Sequence, residues 1–105
     1  MNFQTHHDVE IDVNGTSLQG YVIVNYHILD AVFGEPLPGD GYKVDADWHL
    51  RYEDGTVATI YNWKNGQNYL GVDGQPVHQI SEWNIGGTSQ RTADLVKQTL
   101  NEAIK

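Results

Sequence analysis

The chain has no cysteine among its 105 residues, which excludes disulfide bridges and thiolate metal sites. No segment approaches the roughly 20 consecutive apolar residues that a membrane-spanning helix needs. The start, MNFQTHHDVE, lacks the basic and apolar regions of a secretory signal peptide. From these absences we expect a soluble, intracellular protein.

Basic residues are also scarce, since six Lys and Arg stand against fourteen Asp and Glu and the net charge is −8. Nucleic-acid-binding surfaces need Lys and Arg to neutralise phosphates, so direct nucleic-acid binding is disfavoured. The excess acid either maintains solubility or faces a basic surface on a protein partner, whose association it would steer. The length predicts a single domain over residues 1–105 with one modest core.

The N-terminal part alternates apolar and polar residues with a period of two, as half-buried strands do. The dipeptide Asn14-Gly15 suits a two-residue type I′ turn, which would pair QTHHDVEIDV with TSLQGYVIVN. In this predicted first hairpin, one face is mostly apolar. The opposite face carries three acids, Asp8, Glu10 and Asp12.

A second hairpin is predicted from ADWHLRYE and TVATIYNWK, with Asp54-Gly55 as its turn. The same two-residue loop would place Leu50 opposite Thr59. One face would then hold most of the large side chains: Trp48, Leu50, Tyr52, Val57, Thr59, Tyr61 and Trp63. So many aromatic residues on one face indicate a core covered by a helix.

Two helices complete the prediction. Asn25 can cap a short helix over residues 26–33, and Thr88 or Ser89 can cap a C-terminal helix. A short strand near residues 69–72 and a strand in ISEWNIGG lie between the second hairpin and the last helix. We therefore predict an α+β fold in which two antiparallel hairpins form a four- to five-stranded sheet, with a short connecting helix and a C-terminal helix packed on one face.

Motifs for catalysis and metal binding are weak. A G-x-S-x-G nucleophile motif is absent. His6 and His7 are adjacent, so in a strand their side chains would point to opposite faces. Asp45 and Asp47 lie two residues apart, without the further oxygen ligands that Ca²⁺ or Mg²⁺ requires. We expect no enzymatic activity, no metal and no cofactor.

The segment Ile85 to Gln90 runs from a predicted strand into a helix N-terminus, where free N–H groups can bind anions. It lacks the lysine of a phosphate-binding P-loop. Two interpretations stay open: a tight strand-to-helix turn, or part of a nucleotide site that also uses aromatic stacking. The residues of that site would be Tyr42, Lys43, Trp83, Gly86, Gly87, Thr88 and Arg91.

The strings GDGYKVDADW, EDGTVATIYNWKNGQNYLG and ISEWNIGG resemble a group of small acidic proteins encoded in bacteriophage genomes. NGTSLQGY and FGEPLPGDGYK are also similar to that group, so the resemblance covers roughly residues 14–87. It carries no established activity, and no catalytic residue can be transferred. It implies a phage accessory factor that acts in the host cell cytoplasm against host defence.

These observations lead to two hypotheses. The first is a non-enzymatic inhibitor that binds a host defence protein, such as a CRISPR complex or another nucleic-acid-binding effector. It would use an acidic surface formed by Asp8, Glu10, Asp12, Asp45 and Asp47. The second is a module that sequesters a nucleotide immune signal. Exposed edge strands would also permit a homodimer.

Overall fold

A computed structural model, which describes residues 1–104, confirms the α+β fold. Its five-stranded antiparallel sheet has the order β1-β3-β4-β5-β2. The strands are β1 (Phe3–Thr5), β2 (Ser17–Ile23), β3 (Asp47–Tyr52), β4 (Val57–Tyr61) and β5 (Glu82–Gly87). The helices are α1 (Tyr26–Phe33), the single turn α2 (Gln67–Leu70) and the C-terminal α3 (Gln90–Ala103). Within residues 1–104, no helix is long and apolar enough to cross a membrane.

The core lies between one face of the sheet and the helices α1 and α3. Its centre is a contact between two fully buried indoles, Trp48 and Trp83, whose ring centroids are 5.3 Å apart. Both indole N–H groups are satisfied, because Trp48 donates to the Gly34 carbonyl at 2.8 Å and Trp83 to the Val24 carbonyl at 3.0 Å. Aliphatic side chains fill the rest: Leu29, Leu50, Ile60, Ile80, Ile85, Val96 and Leu100.

The predicted helices are confirmed. The Asn25 side-chain oxygen accepts hydrogen bonds from the N–H groups of His27 and Ile28 at the start of α1. Gly34 ends α1 with φ +85°, and its N–H donates to the Asp30 carbonyl. Ser89 occupies the position before α3, although its side chain makes no capping bond. The strand predicted near residues 69–72 is wrong, because that segment forms α2 and a following 3₁₀ turn.

The predicted first hairpin is wrong. β1 pairs with β3 and β2 pairs with β5, so residues 6–16 form a loop that joins two opposite edges of the sheet. A turn is present, since Thr16 N–H donates to the Val13 carbonyl at 3.2 Å. However, only Gly15 has positive φ there, whereas a type I′ turn requires it at Asn14 as well. The turn therefore does not align its flanks as a strand pair.

The second hairpin is confirmed as β3 and β4, but its predicted register is wrong by one residue. Gly55 has φ +91°, its N–H donates to the Tyr52 carbonyl, and Tyr52 N–H donates to the Thr56 carbonyl. This is a three-residue loop with a glycine bulge. Leu50 consequently pairs with Ala58 and not with Thr59. Val57, Thr59 and Tyr61 move to the face of the sheet opposite the core.

The two buried indoles and the exposed indole of Trp63 lead to a prediction on stability. Trp83→Ala should lower the free energy of unfolding by about 3–5 kcal/mol, because it leaves a cavity at the centre of the core. Trp63→Ala, at a side chain that is 46% exposed, should cost less, about 1–2 kcal/mol. Urea denaturation of both variants measures the difference. Equal losses would contradict the described core.

Candidate functional site

The sheet face opposite the core, called the open face below, carries a cleft of about 380 Å³. Its floor is built by Asp47 and His49 of β3, Thr59 and Tyr61 of β4, and Gly86 of β5. Parts of the loops 6–16 and 34–46 form its walls, together with Trp63. The one-residue register shift in the second hairpin is what places Thr59 and Tyr61 in this floor.

The cleft floor contains a paired carboxylate and imidazole. Asp47 Oδ2 lies 2.9 Å from His49 Nε2, and Asp47 Oδ1 is buried without a hydrogen-bond partner among residues 1–104. Thr59 fits beside them because a Cβ at Gly86 would collide with its hydroxyl. Asp47, predicted to bind a partner through an exposed acidic surface, instead lies half-buried in the cleft.

Five residues at one end of the cleft form a cluster that we call the aromatic–lysine rim: Tyr42, Lys43, Trp63, Lys64 and Tyr69. Lys43 Nζ lies 5.4 Å from the Tyr42 ring centroid and 5.3 Å from that of Trp63. Lys64 Nζ lies 5.8 Å from the Trp63 centroid and 5.5 Å from that of Tyr69. These are cation–π distances, and each such contact contributes about 0.5–1 kcal/mol at an exposed site.

The rim is exposed and locally strained. Tyr42, Trp63 and Tyr69 are 56%, 46% and 39% exposed, although aromatic rings are usually buried. Within residues 1–104, Lys64 is the one non-glycine residue with positive φ, at +61°. Its N–H donates to the Lys43 carbonyl at 2.9 Å, which joins the two segments that carry the lysines. Strain of this kind is frequent at functional sites.

A buried amide holds the two segments of the rim together. Asn62 is fully buried, and its Oδ1 accepts from the N–H groups of Asp45 at 2.7 Å and Ala46 at 3.1 Å. Its Nδ2 donates to Asp45 Oδ1 at 2.8 Å and to Asn65 Oδ1 at 3.0 Å. The second Asp45 oxygen accepts from the Asn68 N–H at 3.1 Å. Asp45 therefore has a structural role in holding the rim together, and its predicted role in partner binding stays a prediction.

Asp40 orders the remaining part of the rim. One carboxylate oxygen accepts from three successive N–H groups, those of Tyr42 at 2.8 Å, Lys43 at 2.9 Å and Val44 at 3.0 Å. These hydrogen bonds lower the pKa of Asp40, and the one from the Val44 N–H has the largest effect. The ionised carboxylate thus fixes the backbone of the loop that presents Tyr42 and Lys43.

The structure does not assemble the nucleotide site predicted around the glycine pair. Tyr42 and Lys43 lie on the rim, but Trp83 is fully buried and cannot stack on a ligand. Gly86 and Gly87 lie inside β5, where a Cβ at Gly87 would collide with Thr92. Of the predicted residues, only Thr88 and Arg91 remain exposed at the start of α3.

Arg91 already has partners. It donates to Asp54 Oδ2 at 2.8 Å and to the Thr56 hydroxyl at 3.0 Å. Hydrogen bonds from Thr56 and then from Arg91 lower the pKa of Asp54 to about 2. Arg91 is thus bound to the β3–β4 turn, which accounts for its position without a ligand.

The three acids of the predicted first hairpin remain exposed, but on the loop 6–16 and not on a strand. Asp8 accepts from the Thr5 N–H and Asp12 from the Asn14 N–H, both at 2.9 Å. Ile11 between them is buried at 6% exposure. The predicted alternation of exposed and buried residues therefore survives without the predicted strand pairing.

Further histidines lie close to one another near the loop 6–16. His6 and His7 have ring centroids 4.4 Å apart, and both Nε2 atoms contact the Glu35 carbonyl, so they do not point to opposite faces as expected of a strand. Within residues 1–104, no three His, Asp or Glu side chains form a group suited to a metal.

Comparisons with family models, curated proteins and solved structures find no match for the chain.

The Asn62 hydrogen bonds lead to a prediction. Asn62→Ala should lower the free energy of unfolding by about 3 kcal/mol, because buried N–H and carboxylate groups lose their partners. Asn68→Ala, at an exposed side chain that donates to the Val44 carbonyl at 3.3 Å, is the control and should cost about 1 kcal/mol. Thermal denaturation measures both. If Asn62→Ala costs no more than the control, the amide does not organise the rim.

Proposed function

We propose that the protein is a non-enzymatic binding protein whose open face holds a nucleotide. The observation that carries this proposal is the aromatic–lysine rim, which joins two lysines and three exposed aromatic rings at one end of the cleft. Trp63 belongs to both the rim and the cleft wall. A base stacked on Trp63 would therefore have its phosphates within reach of Lys43 or Lys64.

The aromatic rings and the two lysines of the rim favour this ligand class. Stacking of a base on an aromatic side chain contributes about 1–3 kcal/mol. The net charge of −8 repels anions from most of the surface, whereas the rim concentrates two of the six basic residues. A ligand with both a ring and a negative charge uses both features of the rim, and a neutral ring or a simple anion uses only one.

The order of the rim lowers the entropic cost of binding. The Asn62 amide and the Asp40 carboxylate fix the backbone on either side of Lys43 and Trp63. Side chains that are already ordered lose less freedom when a ligand binds. A ligand would still displace part of the cation–π contacts, since both lysine ammonium groups lie over rings.

We propose binding and not catalysis on the partners of the histidine in the cleft floor. The His49 ring is hydrogen-bonded to the carboxylate two residues away in the same strand. Within residues 1–104, that ring makes no hydrogen bond to a hydroxyl that it could activate as a nucleophile. The resemblance to phage proteins supports sequestration of a nucleotide immune signal as the use of such a site.

Isothermal titration with a cyclic dinucleotide and with ATP tests this function. We expect Trp63→Ala and Lys43→Gln each to weaken binding about tenfold, which corresponds to the loss of one stacking or charge interaction of about 1.4 kcal/mol. Adenosine and pyrophosphate, which carry only the ring or only the charge, should bind more weakly than ATP.

Arg91→Gln is the matched control. Arg91 is exposed and basic, and its ion-pair partner Asp54 is not a residue of the rim. It should leave binding unchanged. Absence of binding by both nucleotides would overturn the proposal. Binding that is lost in Arg91→Gln and retained in Trp63→Ala would indicate that the site lies at the start of α3.

The exposed acids of the loop 6–16 favour a second candidate function. Asp8, Glu10 and Asp12 are all exposed and lie on alternate residues of one segment. A row of acids in this position is suited to a basic surface on a host defence protein, such as a nucleic-acid-binding effector. In this second candidate, the protein inhibits the effector by covering its nucleic-acid-binding surface.

Glu10→Lys tests the second candidate most cleanly, since Asp8 and Asp12 also hold the backbone of their own loop. It should reduce inhibition of a CRISPR effector in a plasmid-interference assay about tenfold, mainly through slower association. Asp73→Lys, at an exposed acid in the 3₁₀ turn after α2, is the control and should inhibit normally. No inhibition by the unmodified protein, or equal inhibition by both variants, would count against this candidate.

A further inference from the structure

The strand β2 forms one edge of the sheet and has an unpaired side. Among residues 1–104 it pairs with β5 alone, and it is last in the strand order. Val24 N–H donates to the Ser81 carbonyl at 2.9 Å, and Val22 lies opposite Trp83 in the same register. Because antiparallel strands direct alternate backbone groups to alternate sides, Tyr21 and Ile23 direct their N–H and C=O groups outward.

This edge lacks two of the usual protections against strand pairing, charge and proline, and its register is irregular only between Leu18 and Gly20. β2 is seven residues long, SLQGYVI, and contains neither a charged residue nor a proline. Its side chains Leu18, Tyr21 and Ile23 are 45%, 63% and 80% exposed. Natural edge strands are usually short, charged or interrupted by proline. The other edge, β1, is only three residues long.

We infer that β2 pairs antiparallel with β2 of a second copy of the chain, across a two-fold axis. The outward N–H and C=O groups specify an extended strand as the occupant. Because β2 carries no charge, the strand that pairs with it should also be uncharged. β2 of a second copy meets this requirement. A basic segment would have no acidic side chain of β2 to form an ion pair with. The net charge of −8 opposes association of two copies, and pairing through β2 brings no charged side chain of either strand against the other.

The pairing joins the two sheets into one. With the axis at Tyr21, the two copies of this residue lie opposite each other and form an aromatic cross-strand pair on the open face. Leu18 and Tyr21 also line a shallow hollow of about 560 Å³ together with Tyr61, Trp63 and Asn84. The second copy adds a wall to this hollow. The inference goes beyond nucleotide binding and stands without it.

Sedimentation velocity over a wide range of concentration tests the pairing. The unmodified protein is expected to form a dimer, and Tyr21→Lys is expected to abolish it by placing like charges opposite each other. Val72→Lys adds the same charge at a residue that is 95% exposed and lies outside the sheet, so it should still dimerise. A monomer at all concentrations, or a dimer that survives Tyr21→Lys, would overturn the inference.

A cross-linking experiment covers the case in which Tyr21→Lys fails to fold. The chain has no cysteine, so Tyr21→Cys provides a single thiol on an uncharged strand. Hydrogen-bonded residues that face each other in an antiparallel pair have Cα atoms about 5.5 Å apart, which suits a disulfide. Mild oxidation should cross-link Tyr21→Cys and leave Val72→Cys uncross-linked. Equal cross-linking of the two variants would contradict the pairing.

Discussion

The glycine bulge at the β3–β4 turn is the constraint on which the rest of the structure depends. Gly55 takes φ +91° and lengthens the loop to three residues, which sets Leu50 opposite Ala58. Side chains alternate along a strand, so a shift of one residue would exchange every side chain of β4 between the two faces. Ile60 would leave the core, and Thr59 and Tyr61 would leave the cleft. The same turn thus determines both the core and the site.

The two faces of the sheet carry the core and the candidate site separately. The core face places Trp48 and Trp83 under two helices and satisfies both indole N–H groups. The open face carries a cleft whose rim is held by the buried Asn62 and includes a lysine with positive φ. Strained, polar and exposed features therefore gather on the side of the sheet opposite the core.

The sequence predicted the parts of the fold that local chemistry controls. α1 begins after Asn25, whose side chain caps it, and ends at Gly34, whose backbone takes a positive φ. α3 begins after Ser89. The prediction of the first hairpin was wrong because Asn14-Gly15 can form an isolated turn, whereas the pairing of β1 with β3 depends on contacts distant in sequence. The candidate site was predicted only in part, through Gly86 in the cleft floor and Tyr42 and Lys43 on the rim. Trp63 and Lys64 join them because of the Asn62 network, which no local pattern indicates.

We propose that the aromatic–lysine rim and the cleft beside it form one ligand site. The most direct measurement is a two-dimensional ¹H–¹⁵N NMR titration of the protein with a cyclic dinucleotide. We expect the shifted signals to group around Lys43, the Trp63 indole and Thr59, while the buried indole signals of Trp48 and Trp83 stay in place. Shifts confined to the start of α3, or no shifts at saturating nucleotide, would contradict the proposal.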